Sequence, residues 1–95
     1  MQLRELQQRL EEWHRKKYGA GPVNMGRTLA KLCEELGELA EAINRDLRQC
    51  AGMEAADMVF VLFHIVRACG EDFADHLEAK LEIIEARLNY PTPAC

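Results

Sequence analysis

The chain predicts an all-α fold, a four-helix bundle, on three observations. Apolar residues recur at steps of three and four in successive stretches, the spacing of one helix face. Breaks carrying glycine, proline or asparagine separate those stretches. The longest apolar run, residues 58–66, is too long and too free of turn residues to read as a strand. Ninety-five residues make a single domain, residues 1–95, small enough that its lone core is only modestly stabilising.

Helix one is expected from Leu3 to about Lys17, with Leu3, Leu6, Leu10 and Trp13 as its stripe. Its Glu11-x-x-His14 is half of a di-iron signature, and no second Glu-x-x-His occurs, so His14 reads as a surface histidine, with a substrate-side one as the lesser alternative. Tyr18-Gly-Ala-Gly-Pro-Val-Asn breaks the helix and is expected to form a mobile flap. Asn24 suits the N-cap of helix two, which is read to about Leu47. Leu29, Leu32, Leu36, Leu39 and Ile43 fall within about 80° of arc and form its core side. The connection, roughly residues 44–52, is short and makes helices two and three antiparallel neighbours, with Glu54 in the first turn of helix three. Helix three is apolar nearly all round, the mark of a central helix or one pressed against another subunit, so a homodimer or homotetramer is expected. His64 reads as a satisfied buried histidine rather than a catalytic one. Gly70 suits the end of helix three and Glu71 or Asp72 the cap of helix four. Phe73, Leu77, Leu81, Ile84 and Leu88 are expected as the buried stripe of helix four, and the tail from Asn89 is too short and Pro-rich to fold by itself.

Composition narrows the function. Hydrophobic residues make up 48% of the chain, enough for a core, but charge is expected to interrupt the apolar positions too often for a transmembrane span. The N-terminal segment is amphipathic without a signal-type apolar region, so a cytoplasmic location is expected. A formal net charge of -4 argues against binding a nucleic acid polymer, which needs a basic face. Cys33, Cys50, Cys69 and Cys95 show no metal-type spacing; Cys33 and Cys69 read as small core residues and all four as reduced thiols.

The chemistry concentrates in carboxylates. On the wheel of helix two, Glu35 and Glu38 share one flank beside the apolar stripe, one turn apart, while Glu34 and Glu41 lie on the far side. A second doublet, Glu54 and Asp57, repeats the spacing at the opening of helix three. Like charges half sunk beside a core repel each other and lose hydration, and a cation is the usual remedy. If the doublets converge, an oxygen-only ligand set selects Mg²⁺, or Mn²⁺ in its place, over zinc or copper.

Glu34-Glu35-x-x-Glu38 followed by Glu54-x-x-Asp57 resembles the signature of the MazG-like, all-α nucleoside triphosphate pyrophosphohydrolases, across about residues 25–90. The resemblance implies a helical bundle that holds Mg²⁺ through Glu35, Glu38, Glu54 and Asp57 and cleaves a nucleoside triphosphate to the monophosphate and pyrophosphate, with nucleotide-pool house-cleaning as one role. Glu34 matches the motif but points outward. Glu35 or Glu38, whichever is less engaged by metal, is expected to accept the attacking water's proton. Lys31, one turn before Glu35, is expected either to pair with it or to contact a phosphate. Family members often show Lys-x-x-x-Asn-x-x-Arg in the fourth helix; this chain is similar at Lys80 and Arg87 but has Ile84 where the Asn would stand, so Lys80 and Arg87 read as substrate contacts or plain surface charges. Glu54-Ala-Ala-Asp57 also resembles the phosphoribosyl-ATP branch of the superfamily. The competing class is an acidic helical assembly module whose carboxylates merely solubilise it.

Overall fold

A computed structural model describes residues 1–19 and 21–89. The all-α expectation holds: α1 (Leu3–Tyr18), α2 (Met25–Asn44), α3 (Arg48–Ala68) and α4 (Phe73–Asn89). Local signals set their ends as the sequence implies. Asn24 Oδ1 accepts the Arg27 N–H at 3.0 Å and starts α2. Asp72 Oδ1 accepts the Asp75 N–H at 3.1 Å and starts α4. Gly70, at φ +79°, takes the left-handed conformation just past α3 that other residues adopt only with strain. Ala20, inside the expected flap, and residues 90–95 of the expected tail lie outside the described residues.

The connection between α2 and α3 is tighter than expected. It consists of residues 45–47 alone, with Asp46 at φ 54°, and α3 begins at Arg48, so Gly52 lies inside the helix and Glu54 in its second turn. A glycine inside a helix costs only about 1 kcal/mol, which flanking helix formers offset. The earlier start has a consequence for the carboxylates. Glu38 lies six residues before the end of α2 and Glu54 six residues after the start of α3, so the tight turn brings them level.

Two expected packing faces are rotated. On α2 the residues against α3 are the buried Glu35 and Ala42 with the half-buried Leu32 and Leu39, whereas Leu29, Leu36 and Ile43 are 48%, 54% and 62% exposed. The helix is thus rolled about 50° from the centre of its apolar stripe, toward Glu35. On α1 the buried face centres on Gln7, and Leu3 and Trp13 are exposed.

Helix α4 departs furthest from expectation. Its first turn is anchored: Gln7 Oε1 accepts the Ala74 N–H at 3.1 Å, Phe73 meets Phe63 edge-to-face at 4.8 Å between ring centroids, and Arg4 bonds Asp75 and Glu78. Beyond that turn every described side chain is exposed, the expected stripe Leu77, Leu81, Ile84 and Leu88 included, and α4 makes no contact with α2. Cys33, Cys50 and Cys69 are free and exposed, which corrects the core reading of Cys33 and Cys69; Cys95 lies outside the described residues. By length and composition α3 is apolar enough to cross a bilayer, against the expectation that charge interrupts every run. It carries Glu54 and Asp57, and carboxylates at bilayer depth are costly.

Candidate active site

The level pairing of α2 with α3 and the roll of α2 act on the same residues. Glu35, Glu38 and Glu54 each offer one carboxylate oxygen to a group in which all lie within 4.8 Å of one another. Glu35 is the deepest of the three at 4% exposure, Glu54 is half-buried, and Glu38 sits at the solvent edge. Burying a glutamate on a face that leaves Leu36 in water is unfavourable unless something compensates.

Part of the compensation comes from Lys31, whose Nζ lies 3.0 Å from Glu35 Oε1 and 3.9 Å from the exposed Glu34. The ion pair with Glu35, one of the two roles expected for Lys31, is formed. This hydrogen bond is the main reason the Glu35 carboxyl sits below the ordinary range; a bond from Glu54 adds to it. The other oxygens are less well served. Among the described residues, Glu35 Oε2 and Glu54 Oε2 are both buried without a hydrogen-bond partner as carboxylates. Within the chain a shared proton is the one remedy, and Glu54 is the group that takes it: hydrogen bonding to Glu35, then to Glu38, with burial and the two neighbouring charges, pushes its carboxyl up to about 7.

A divalent cation is the other remedy, and the residues fit one. The donors are all carboxylate oxygens, they converge from two rigid helices, and two are buried without a partner. Asp57, the fourth expected ligand, is exposed one turn further along α3 and does not join the three. On the α3 wheel it lies about 60° from Glu54. The remaining substrate candidates, Lys80 and Arg87, are exposed on α4, which does not touch α2, so the fold does not bring them to the carboxylates within the chain.

A second polar cluster was not legible from sequence. His14 of α1 stacks on His64 of α3 at 3.7 Å between ring centroids, and both line a cavity of ≈ 40 Å³ with Leu10, Phe60, Phe63 and Arg67. Desolvation, then the neighbouring charge of His64, holds His14 below its ordinary pKa, and His64 is lowered by desolvation and Arg67. This corrects the readings of His14 as a surface group and His64 as a buried one: each is half-buried against the other. No local period reports a contact between residues fifty positions apart.

Comparison with known proteins covers this site along with most of the chain. A family model described as phosphoribosyl-ATP pyrophosphohydrolase matches residues 3–85, which include all three converging glutamates. No curated protein and no solved structure matches the chain. Since that match spans most of the sequence, the chain belongs to the phosphoribosyl-ATP pyrophosphohydrolase family, within the MazG-like all-α nucleoside triphosphate pyrophosphatase superfamily, and its activity is that of a pyrophosphohydrolase.

Proposed function

We propose that Glu35, Glu38 and Glu54 hold a divalent cation, Mg²⁺ or Mn²⁺ in its place, and that the protein hydrolyses a nucleoside triphosphate to the monophosphate and pyrophosphate. The observation that carries this reading is the pair of buried oxygens without partners, Glu35 Oε2 and Glu54 Oε2, set beside a third carboxylate. A solvated acidic surface, as in an assembly module, has no reason to bury them.

When bound, the cation supplies charge neutralisation at the leaving pyrophosphate and a lowered pKa for an attacking water. The chain's residues do the rest. Lys31 keeps Glu35 ionised and fixes one of its oxygens, leaving the other as a ligand. Glu54 releases its shared proton and becomes the second anion. Glu38, at the solvent edge and without an ion pair among the described residues, is placed to accept the proton of a water attacking phosphorus. Rigid helices supply the orientation, which is the larger part of phosphoryl-transfer catalysis.

A second substrate, phosphoribosyl-ATP, is favoured by the family match and fits the same chemistry, since it presents the same triphosphate to the carboxylates. Pyrophosphate release should be measured with Mg²⁺ across canonical and modified nucleoside triphosphates and phosphoribosyl-ATP. Turnover of nucleoside triphosphates supports the first substrate, turnover of phosphoribosyl-ATP alone the second, and no pyrophosphate from any of them refutes both.

A further inference from the structure

Helices α1 and α2 both pack on α3 and, among the described residues, make no contact with each other. The arc of α3 left between them carries Asp57, Val61 and His64 within about 60° of the wheel. A cleft therefore runs along α3, with α1 as one wall and α2 as the other. Both walls run antiparallel to α3. On their wheels Lys31 and Glu38 fall on the side of α2 that borders the cleft, and Tyr18 falls on the side of α1 that borders it.

The position of Tyr18 is unusual for its helix. Gln7 meets Ala74 and His14 meets His64, so α1 turns one face to α3, and Tyr18 continues that face one turn past His14. It is nonetheless 61% exposed. Its ring contacts His14 at 4.7 Å between centroids, and His14 stacks on His64 at 3.7 Å, so three rings form a ladder whose last member is open. Trp13 stands edge-on to Tyr18 at 6.1 Å. Lys17 Nζ lies 5.2 Å from the Tyr18 centroid, an exposed ammonium held by the negative π face that a flat ring can displace. Continuing the antiparallel register from His14 and His64, Tyr18 comes level with about Phe60, six residues or roughly 9 Å along α3 from Glu54.

We propose that Tyr18 is the seat of the substrate's nucleobase. The base stacks on the open side of the Tyr18 ring, and the sugar and phosphates run along the cleft past Asp57 to Glu35, Glu38 and Glu54. This rests on the pyrophosphohydrolase reading of the carboxylate site. Two features select a nucleobase. The ladder packs planar rings face against face, and every base offers a π face to such a platform. The carboxylates fix where the triphosphate lies, and the two turns of α3 between Glu54 and the ring leave the length of a sugar and its nearest phosphate. Tyr18 thus supplies affinity that all bases share. His14 and His64 position its ring and do not touch the ligand.

The test combines kinetics with proton NMR on the full chain. With Mg²⁺, at least one of the α,β-methylene analogues of ATP, GTP, CTP and UTP, which resist cleavage between the α and β phosphates, should shift the ring signals of Tyr18, identified by their absence from Tyr18→Ala. Inorganic triphosphate with Mg²⁺, which has no base, should leave them in place. For the nucleotide that wild type turns over, Tyr18→Ala should raise KM about 5- to 150-fold with kcat little changed, the mark of lost uniform binding, and Tyr18→Phe should restore KM. Mn²⁺ uptake should be the same in wild type and Tyr18→Ala. Pyrophosphate release with an unchanged KM in Tyr18→Ala, no shift of the Tyr18 signals by any of the four analogues, or an equal shift by inorganic triphosphate overturns this inference alone. Neither Mn²⁺ uptake nor pyrophosphate release by wild type overturns the carboxylate reading, and the base seat with it.

Discussion

Magnesium should raise the melting temperature of this protein, and the increment should depend on the three glutamates. The perturbation is Mg²⁺ added to protein first stripped with EDTA. In the stripped protein the cluster is held by Lys31 and a proton on Glu54; a cation removes the need for that proton and gives Glu35 Oε2 and Glu54 Oε2 the partner they lack. By mass action an ion present at about a hundred times its dissociation constant adds about 2.7 kcal/mol to stability. For a chain of this size each kcal/mol is worth about 4–8 °C, so the increment should be roughly 10–20 °C. Thermal denaturation followed by circular dichroism measures it. Glu54→Gln should melt no lower than wild type without metal, since an amide replaces the shared proton with a permanent donor, whereas Glu35→Gln also loses its ion pair with Lys31 and should melt lower; both should lose most of the increment. A wild-type melting temperature indifferent to Mg²⁺ and Mn²⁺, or equal increments in wild type and both variants, would refute the reasoning.

Further predictions come from other parts of the chain. Glu38→Gln, at an exposed position, should leave the helix content unchanged and abolish Mg²⁺-dependent pyrophosphate release, since it removes a metal ligand and the general base together. Gln7→Ala should leave the fully buried Ala74 N–H without its acceptor and cost about 1–3 kcal/mol, read as a fall in melting temperature. The stacked His14 and His64 carry pKa values below the ordinary imidazole value near 6.5, so the neutral pair stabilises the fold above about pH 6.5 and that contribution is lost as pH falls through the depressed values. Arg67 adds to the penalty from the same cavity. Denaturant midpoints between about pH 7 and pH 5 should therefore fall more steeply in wild type than in His14→Phe/His64→Phe.

The parts of this protein legible from sequence are those set by neighbours within a turn or two. Asn24, Gly70 and Asp72 act through bonds to residues three or four positions away, and each ends or begins a helix where its chemistry implies. Glu35 and Glu38 were found because a helix wheel reports which side chains share a flank. What the wheel does not report is how far a helix rolls about its axis once packed. The roll of α2 toward Glu35 sets the burial of that carboxylate and the exposure of Leu36 together, and both depend on α3. The sequence alone places the start of α3 too late because Gly52, a strong breaker in isolation, costs little inside a helix held by its partner. That one shift decides which carboxylates meet: it levels Glu54 with Glu38, and the angle of Asp57 on α3 leaves it outside. The exposed stripe of α4 and the stacked histidines depend on contacts between distant segments, which no local period encodes.

Direct binding of Mn²⁺ tests most closely whether Glu35, Glu38 and Glu54 converge on one divalent ion. Free Mn²⁺, followed by its electron paramagnetic resonance signal, should disappear as wild-type protein is added and reappear when Mg²⁺ is added in excess. Glu35→Gln, Glu38→Gln and Glu54→Gln should each leave the signal nearly undiminished at the same protein concentration. Undiminished uptake by any one of the three variants would contradict the account.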